Sequence, residues 1–418
     1  MELNQIKVLH IVAGDLNQGA ARGAYWLHKG LISNGVDSVM LNNGNLSGEQ
    51  YENVININES SYFSKRINYF RSRLDIYFKR IYKKSRKEIF STGLFGYNFL
   101  RLKAYKEADL IHLHWINGGL VDISVLNKIK KPIVWTIRDM WPFTGGCHYT
   151  LDCKRYLEGC GNCLFLNSNK EKDLSTYLFN RKKRLLDNKS IEIVGISNWI
   201  SNEAKKSEIL RNHKISTIFN NIDTEVFIPY DKIETRKELK IESNKAIILV
   251  GAINSRNTWK GFIFLKDALN KLDPDKYKVL TFGKINPDDL EAINLEITNF
   301  GFINDDVLLA KIYALSDVFV TTAIQEAFGK TVVESMACKT PVVCFDNSGP
   351  SDLVAHKKEG YLAKAFSPNE LAKGIQWIVD HPNYKAICDN SRKRAVEDFD
   401  YRVTSKKYIE LYKRKLKE

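Results

Sequence analysis

Residues 317–341 read DVFVTTAIQEAFGKTVVESMACKTP, and the order of residue types within them decides the fold. An apolar run of strand composition ends at Thr322, a polar loop carries Glu326, and Gly329 opens a stretch of helical spacing that contains Glu334. A strand, a glycine-bearing loop and a helix in that order are the repeating unit of a parallel sheet. The helix start presents unpaired backbone N–H groups and the positive end of the helix dipole, which together seat a phosphate. Glycine at 329 removes a side chain that would keep a ligand away from the backbone. Glu326 in the loop and Glu334 inside the helix suit the hydroxyls of a sugar and of a ribose. Two acids at this spacing also occur as ordinary exposed helix-end residues.

The same rhythm runs through the whole chain. Apolar runs predict strands at 6–13, 38–41, 110–115, 133–137, 191–196 and 215–219, then at 246–251, 278–282, 297–300, 318–322 and 341–345. Helical patterns fit between them, most clearly at 19–33, 259–271, 305–316, 330–338 and 368–380. The turn formers and proline of NNIDTEVFIP, 220–229, break the pattern. The expected architecture is α/β, with two doubly wound Rossmann-like domains facing a central cleft. An acceptor-binding domain would span 1–220 and a donor-binding domain 221–390. The basic helix 391–418 has no sheet of its own and is expected to pack back on the first domain. Ligand loops of such sheets gather at the strand C-termini.

At 418 residues, 44% hydrophobic and 27% charged, the chain exceeds one ordinary domain and is not disordered. No run approaches the roughly 20 apolar residues of a membrane span. The opening MELNQIKVLHIVAGD reads as a strand rather than a secretory leader, so a cytoplasmic location is expected. The net charge of +14 is concentrated at 61–90, where ten basic residues face only Asp75 and Glu88 and eight aromatics are interleaved. That composition suits an amphipathic helix on an anionic membrane surface, which would make the protein peripheral on the inner face of the cell membrane. It suits equally a solvated helix covering the first sheet with its aromatic face. No binding motif accompanies the charge, so nucleic acid is not an expected partner.

Four cysteines, Cys147, Cys153, Cys160 and Cys163, fall in one loop, 145–165, with the spacing C-x5-C-x6-C-x2-C. Four thiolates suit a tetrahedral structural zinc, with His148 as a spare ligand. Buried free thiols, or disulfides formed in air, are the alternative. His112 and His114 lie two apart on one strand and hence on one face, as metal ligands or as a satisfied buried pair. In GDLNQGAAR, 14–22, Gly19 and two alanines let a phosphate or an acceptor approach the helix start, or let helix and strand pack tightly. The loop lacks the G-x-G-x-x-G spacing of dinucleotide binders. In GAINSRNTWKGF, 251–262, Arg256 and Lys260 follow a strand and open a helix, where fixed cations would neutralise a diphosphate.

EAFGKTVVE at 326–334, followed by ACKTPVVCFDNSGPSDLV and EGYLA, is similar to the C-terminal signature of retaining glycosyltransferases of family 4. The resemblance extends through GAARGAYWLHKGL, ADLIHLHW, IVWTIRDMWPFTGGCHY, ISNWI and NNIDTEVF, and so covers nearly the whole chain. It implies the two-Rossmann glycosyltransferase B architecture, of the bacterial surface-polysaccharide type. By this resemblance Glu334 holds the ribose hydroxyls of a UDP- or GDP-sugar and Glu326 faces the donor sugar. Backbone amides of Phe328, Gly329 and Lys330 hold sugar and phosphate, and Lys260 sits on the diphosphate. Gly19 and Arg256 complete the implied donor contacts. Many family members carry a histidine in the motif TxHD where this chain has Arg138. An arginine can touch sugar oxygens or phosphate but cannot carry a proton near neutral pH. Asp139 follows it and would hold Arg138 or an acceptor hydroxyl.

The implied activity is retaining transfer of a sugar to a hydroxyl of a glycan or lipid-linked acceptor, with no cofactor needed for catalysis. A sugar-nucleotide epimerase or phosphorylase on the same architecture is one alternative. A non-catalytic nucleotide-binding partner of a membrane assembly is another.

Overall fold

The computed structural model describes residues 6–46, 50–59, 62–83, 85–86, 88–187, 189–254 and 258–418. They form two compact units, Met1–Asn220 together with Tyr401–Glu418, and Asn221–Asp400.

The first unit is built on β1 (Lys7–Val12), β2 (Asp37–Asn42), β3 (Val54–Asn56), β4 (Leu110–Leu113), β5 (Ile133–Ile137), β6 (Ile191–Gly195) and β7 (Ile215–Thr217). Their order is β3-β2-β1-β4-β5-β6-β7, and every pairing is parallel. A parallel sheet is covered on both faces, which is why its strands read as unbroken apolar runs; IVWTI of β5 is buried at every position. Leu27 and Leu31 of the helix Gly19–Ser33 pack on Val8, Leu110, Val134 and Val194. Tyr408, Ile409, Leu411 and Tyr412 of the helix Tyr401–Lys415 join the same cluster. Each such side chain contributes about 2 kcal/mol by burial.

The second unit holds β8 (Ala246–Asn254), β9 (Tyr277–Lys284), β10 (Glu296–Asn299), β11 (Val318–Thr321), β12 (Val342–Phe345) and β13 (Gly360–Ala363). They run β10-β9-β8-β11-β12-β13, again all parallel. In each sheet the order reverses beside the first strand, at β1/β4 and at β8/β11. Ligands of open α/β sheets bind at such switch points.

Two details differ from the sequence expectation. The division expected at 390 falls inside the helix Tyr384–Phe399, which stays with the second unit; a continuous helix does not break between units, and the chain leaves this one only after Asp400. Strands β3 and β13 were not expected. VIN is too short for a periodicity, and GYLA is half small residues.

Candidate functional site

In the second unit three loops meet at the C-terminal ends of β8, β11 and β12. Gly261 takes a left-handed φ of +63, and a Cβ there would lie 2.2 Å from the Thr322 carbonyl oxygen. Gly349 passes so close to the 326–328 backbone that its Cβ would meet the Ala327 oxygen at 2.5 Å. Hydrogen bonds fasten these approaches: Ile324 N–H donates to the Trp259 carbonyl at 2.7 Å, and Gly349 N–H to that of Glu326 at 2.9 Å. The Asn347 amide donates to the Ile324 carbonyl at 2.6 Å.

The loops enclose a pocket lined by Gly251, Lys260, Phe282, Thr322, Glu326 and Gly329 among others. Gly329, with φ +96, caps the helix Lys330–Ala337, whose first turn carries the positive end of the helix dipole. The Lys260 ammonium donates to the Glu326 carboxylate. Glu334 is only 2% exposed. The Tyr313 hydroxyl donates to its Oε2 at 3.2 Å, and the Lys330 ammonium lies 3.6 Å from its Oε1. Oε1 itself is buried without a hydrogen-bond partner. Phe328 is buried and its ring meets that of Phe399 edge-on. The structure thus brings Lys260, Glu326, Phe328, Gly329, Lys330 and Glu334 together in one unit. Arg256 lies outside the described residues.

In the first unit Arg138 directly follows β5 and is 7% exposed. Its Nη1 donates to Asn220 Oδ1 at 2.9 Å, and its Nη2 lies 3.4 Å from His114 Nδ1. Burial lowers its pKa to about 10, so it stays a cation at neutral pH. Gly23 makes room for it, because a Cβ at 23 would stand 2.7 Å from Nη1 and 2.6 Å from Asn220 Oδ1. Asp139 does not turn to Arg138. Its Oδ2 accepts from Trp115 Nε1 at 2.7 Å and pairs with His148 Nδ1 at 2.6 Å, while Oδ1 accepts from Trp141 N–H at 2.9 Å. These contacts make it an anchor of the 139–148 loop. A Cβ at Gly19 would meet nothing within 4 Å, so open space rather than tight packing surrounds that helix start.

His112 bonds through both ring nitrogens, to the Tyr412 hydroxyl at 2.6 Å and to Thr136 Oγ1 at 2.7 Å. His114 Nε2 pairs with His10 Nδ1 at 2.9 Å. One ring nitrogen from each of His10, His112 and His114 lies within 4.8 Å of the other two. Burial, the largest cause, and the positive Arg138 lower all three pKa values, so they form a neutral hydrogen-bonded cluster.

The structural-zinc expectation is not supported. Among the described residues only His10, His112 and His114 converge as a metal site requires, and the four loop cysteines do not. Their thiols are free, and Cys147 and Cys163 pack with Phe90, Phe165 and Leu178. Burial pushes Cys147 well up and Cys160 to about 12, so they remain protonated. His148 is also occupied, with Asp139 on one nitrogen and Ser91 Oγ at 2.9 Å on the other.

Lys182 has no counterpart in the sequence reading. It is 1% exposed, donates to the Trp141 carbonyl and lies 3.8 Å from the centroid of that tryptophan ring. Burial lowers its pKa from 10.5 to about 7. Between those values the unfolded chain binds the proton that the folded chain has released, so this residue makes stability rise with pH across that window. Urea titrations of wild type and Lys182→Met from pH 7 to 10 should differ in slope, with the wild type gaining relative to the variant. Parallel curves would contradict this.

Residues 231–395 match the family described as glycosyl transferases group 1. Among curated relatives, an uncharacterized glycosyltransferase of Methanocaldococcus jannaschii is 24% identical over 54% of this chain and 60% of its own length. A probable sucrose-phosphate synthase of Thermosipho melanesiensis is 25% identical over 47% of each chain. The chain therefore spans about half to 60% of the length of these relatives. Among solved structures, sucrose-phosphate synthase from Thermosynechococcus elongatus aligns with a TM-score of 0.70 at 17% identity, covering 98% of both chains. HepE of Anabaena, in complex with UDP-glucose, aligns with a TM-score of 0.66 at 16% identity, covering 98% of this chain and 100% of its own. Residues 231–395 of the second unit thus resemble the glycosyl transferases group 1 family, and the chain has the fold, two Rossmann-like α/β domains, of the solved glycosyltransferases it aligns with.

Proposed function

We propose that the protein is a retaining glycosyltransferase that takes its sugar from a nucleotide donor, a UDP-sugar foremost, and passes it to a hydroxyl of a glycan or lipid-linked acceptor in cell-surface polysaccharide synthesis. The observation that carries the reading is Glu334, a buried carboxylate with one oxygen lacking a hydrogen-bond partner, on a helix whose N-terminus borders a pocket holding Lys260 and Glu326. A buried polar atom without a partner is costly unless a ligand supplies one, and a ribose hydroxyl does so. Support for UDP comes from HepE, which shares the fold and was solved with UDP-glucose.

The chemistry follows from the charges. The diphosphate takes the Lys260 ammonium and the positive N-terminus of the 330–337 helix, while Glu326, released from Lys260, accepts from sugar hydroxyls. The bond between the anomeric carbon and the diphosphate oxygen breaks as the acceptor oxygen bonds to the same face of that carbon. The acceptor proton passes to the departing phosphate oxygen. Lys260, Lys330 and the helix dipole stabilise that negative charge, and the scheme requires no metal ion. Arg138 is a cation standing where the family often has histidine. It also favours a second reading, a nucleotide-binding partner without turnover.

Titration calorimetry with UDP, GDP and ADP tests the site. One nucleotide should bind saturably, and Glu334→Gln should weaken it about 10–100-fold, the loss of a hydrogen bond to a buried charge, with the melting curve preserved. Equal affinity of wild type and variant would refute the role of Glu334. Saturable binding without diphosphate release from any sugar donor would favour the non-catalytic partner.

A further inference from the structure

The helix Tyr62–Tyr77, with the turn Phe78–Ile81 after it, is folded inside out. Its buried side is polar. Asn68 donates to the Ile57 carbonyl and to Asn58 Oδ1, each at 3.0 Å. Asp75 Oδ1 accepts from Thr92 N–H at 3.0 Å, the Thr92 hydroxyl at 2.7 Å and Gly93 N–H at 2.7 Å. The outer side is apolar. Phe63, Ile67, Phe70, Leu74, Tyr77 and Ile81 recur at steps of four and three, and all six are exposed, Phe63 by 73% and Ile81 by 65%. Such steps place side chains in one line along a helix. Phe63, Tyr69, Phe70 and Tyr77 are exposed and do not cover the first sheet, as one sequence reading had it, whereas Phe78 stacks on Phe95 and Tyr82 and Phe90 pack into the protein.

Arg66, Arg73 and Arg80 are exposed and stand seven apart, so they form a second line beside the stripe. Lys65 and Lys83 are exposed as well. The only acid in 62–83 is Asp75, which is turned inward. Isolated exposed apolar side chains are ordinary, but a continuous exposed stripe marks a contact surface. Its charge selects the partner. A second copy laid on this stripe would set arginine rows near one another with no carboxylate to pair them. An anionic bilayer satisfies both lines at once, the apolar chains entering the acyl boundary and the arginines meeting headgroup phosphates.

We propose that this helix is a docking surface for anionic phospholipid, holding the first unit flat on the membrane. The inference goes beyond the transferase reading and rests on different residues. Full-length protein should co-sediment with vesicles of phosphatidylglycerol and phosphatidylcholine, and less with phosphatidylcholine alone. Added salt should weaken the former, because exposed charges are screened. Reversing Arg66, Arg73 and Arg80 to Glu together should lower affinity for the anionic vesicles by about a hundredfold or more. Phe70→Glu with Leu74→Glu should lower binding to both vesicle types. All five positions are exposed, so melting curves and nucleotide binding by the second unit should be unchanged, which separates failure of this proposal from failure of the transferase reading. Equal binding by wild type and both variants would overturn the proposal. So would a dimer in light scattering that Phe70→Glu dissociates, which would assign the stripe to a second copy.

Discussion

Glu326→Gln should reduce sugar transfer by about 100–1,000-fold or more while nucleotide binding and folding persist. The carboxylate is held by the Lys260 ammonium, so the lysine occupies the position that a donor's hydroxyls would claim. On the proposed reading, a bound diphosphate would compete for Lys260 and free Glu326 to face the sugar as positive charge develops at the anomeric carbon. Glutamine keeps the size and hydrogen-bonding reach but loses the charge, and removing one preorganised charge-stabilising group typically costs this much in rate. The assay is nucleoside diphosphate release from a panel of sugar nucleotides, with and without an acceptor extract. Turnover within about threefold of wild type would remove Glu326 from the reaction. Loss of turnover together with loss of nucleotide affinity would make it a donor-binding residue instead.

Gly261→Ala should be the most destabilising small change in the second unit, by about 3 kcal/mol. Two penalties combine. The residue holds φ +63, which strains any side chain, and its Cβ would stand 2.2 Å from the Thr322 carbonyl, which forces backbone apart. The adjacent Lys260 carbonyl accepts from Thr322 Oγ1 at 3.0 Å, so the shift would also move the lysine of the pocket. A urea midpoint and a nucleotide affinity measured on one preparation should fall together. A drop below about 1 kcal/mol would mean that the two loops are free to separate.

Much of the architecture was legible because parallel strands, buried on both faces, leave unbroken apolar runs. The strand 133–137 and the helix 19–33 were read to the residue. The candidate pocket was legible for a related reason: 317–341 supplies strand, loop, glycine and helix consecutively, so Glu326, Gly329 and Glu334 are positioned by local structure. What escaped reading depends on distant partners. Nothing near Gly23 in sequence says that Arg138 and Asn220 will fill the space beside it. Nothing near Lys182 says that Trp141 will cover it. The cysteine spacing suggests a metal site because spacing cannot show whether four sulfurs converge on one point. Composition marked 61–90 as basic and aromatic, yet which face turns inward was decided by Asn68 and Asp75 finding backbone partners.

The return of residues 401–418 to the first unit has a consequence for the order in which the protein forms. Tyr408 and Tyr412 seal the same apolar cluster as Val8 and Leu27, and their hydroxyls reach Thr136 and His112. During synthesis the first 220 residues therefore emerge with that cluster only partly covered, by Leu27 and Leu31, and they wait while the 221–400 segment is made. The second unit, contiguous in sequence, can fold as soon as it leaves the ribosome. The first to be made is thus the last to be finished, and for that interval its partly covered apolar cluster depends on chaperones or on speed.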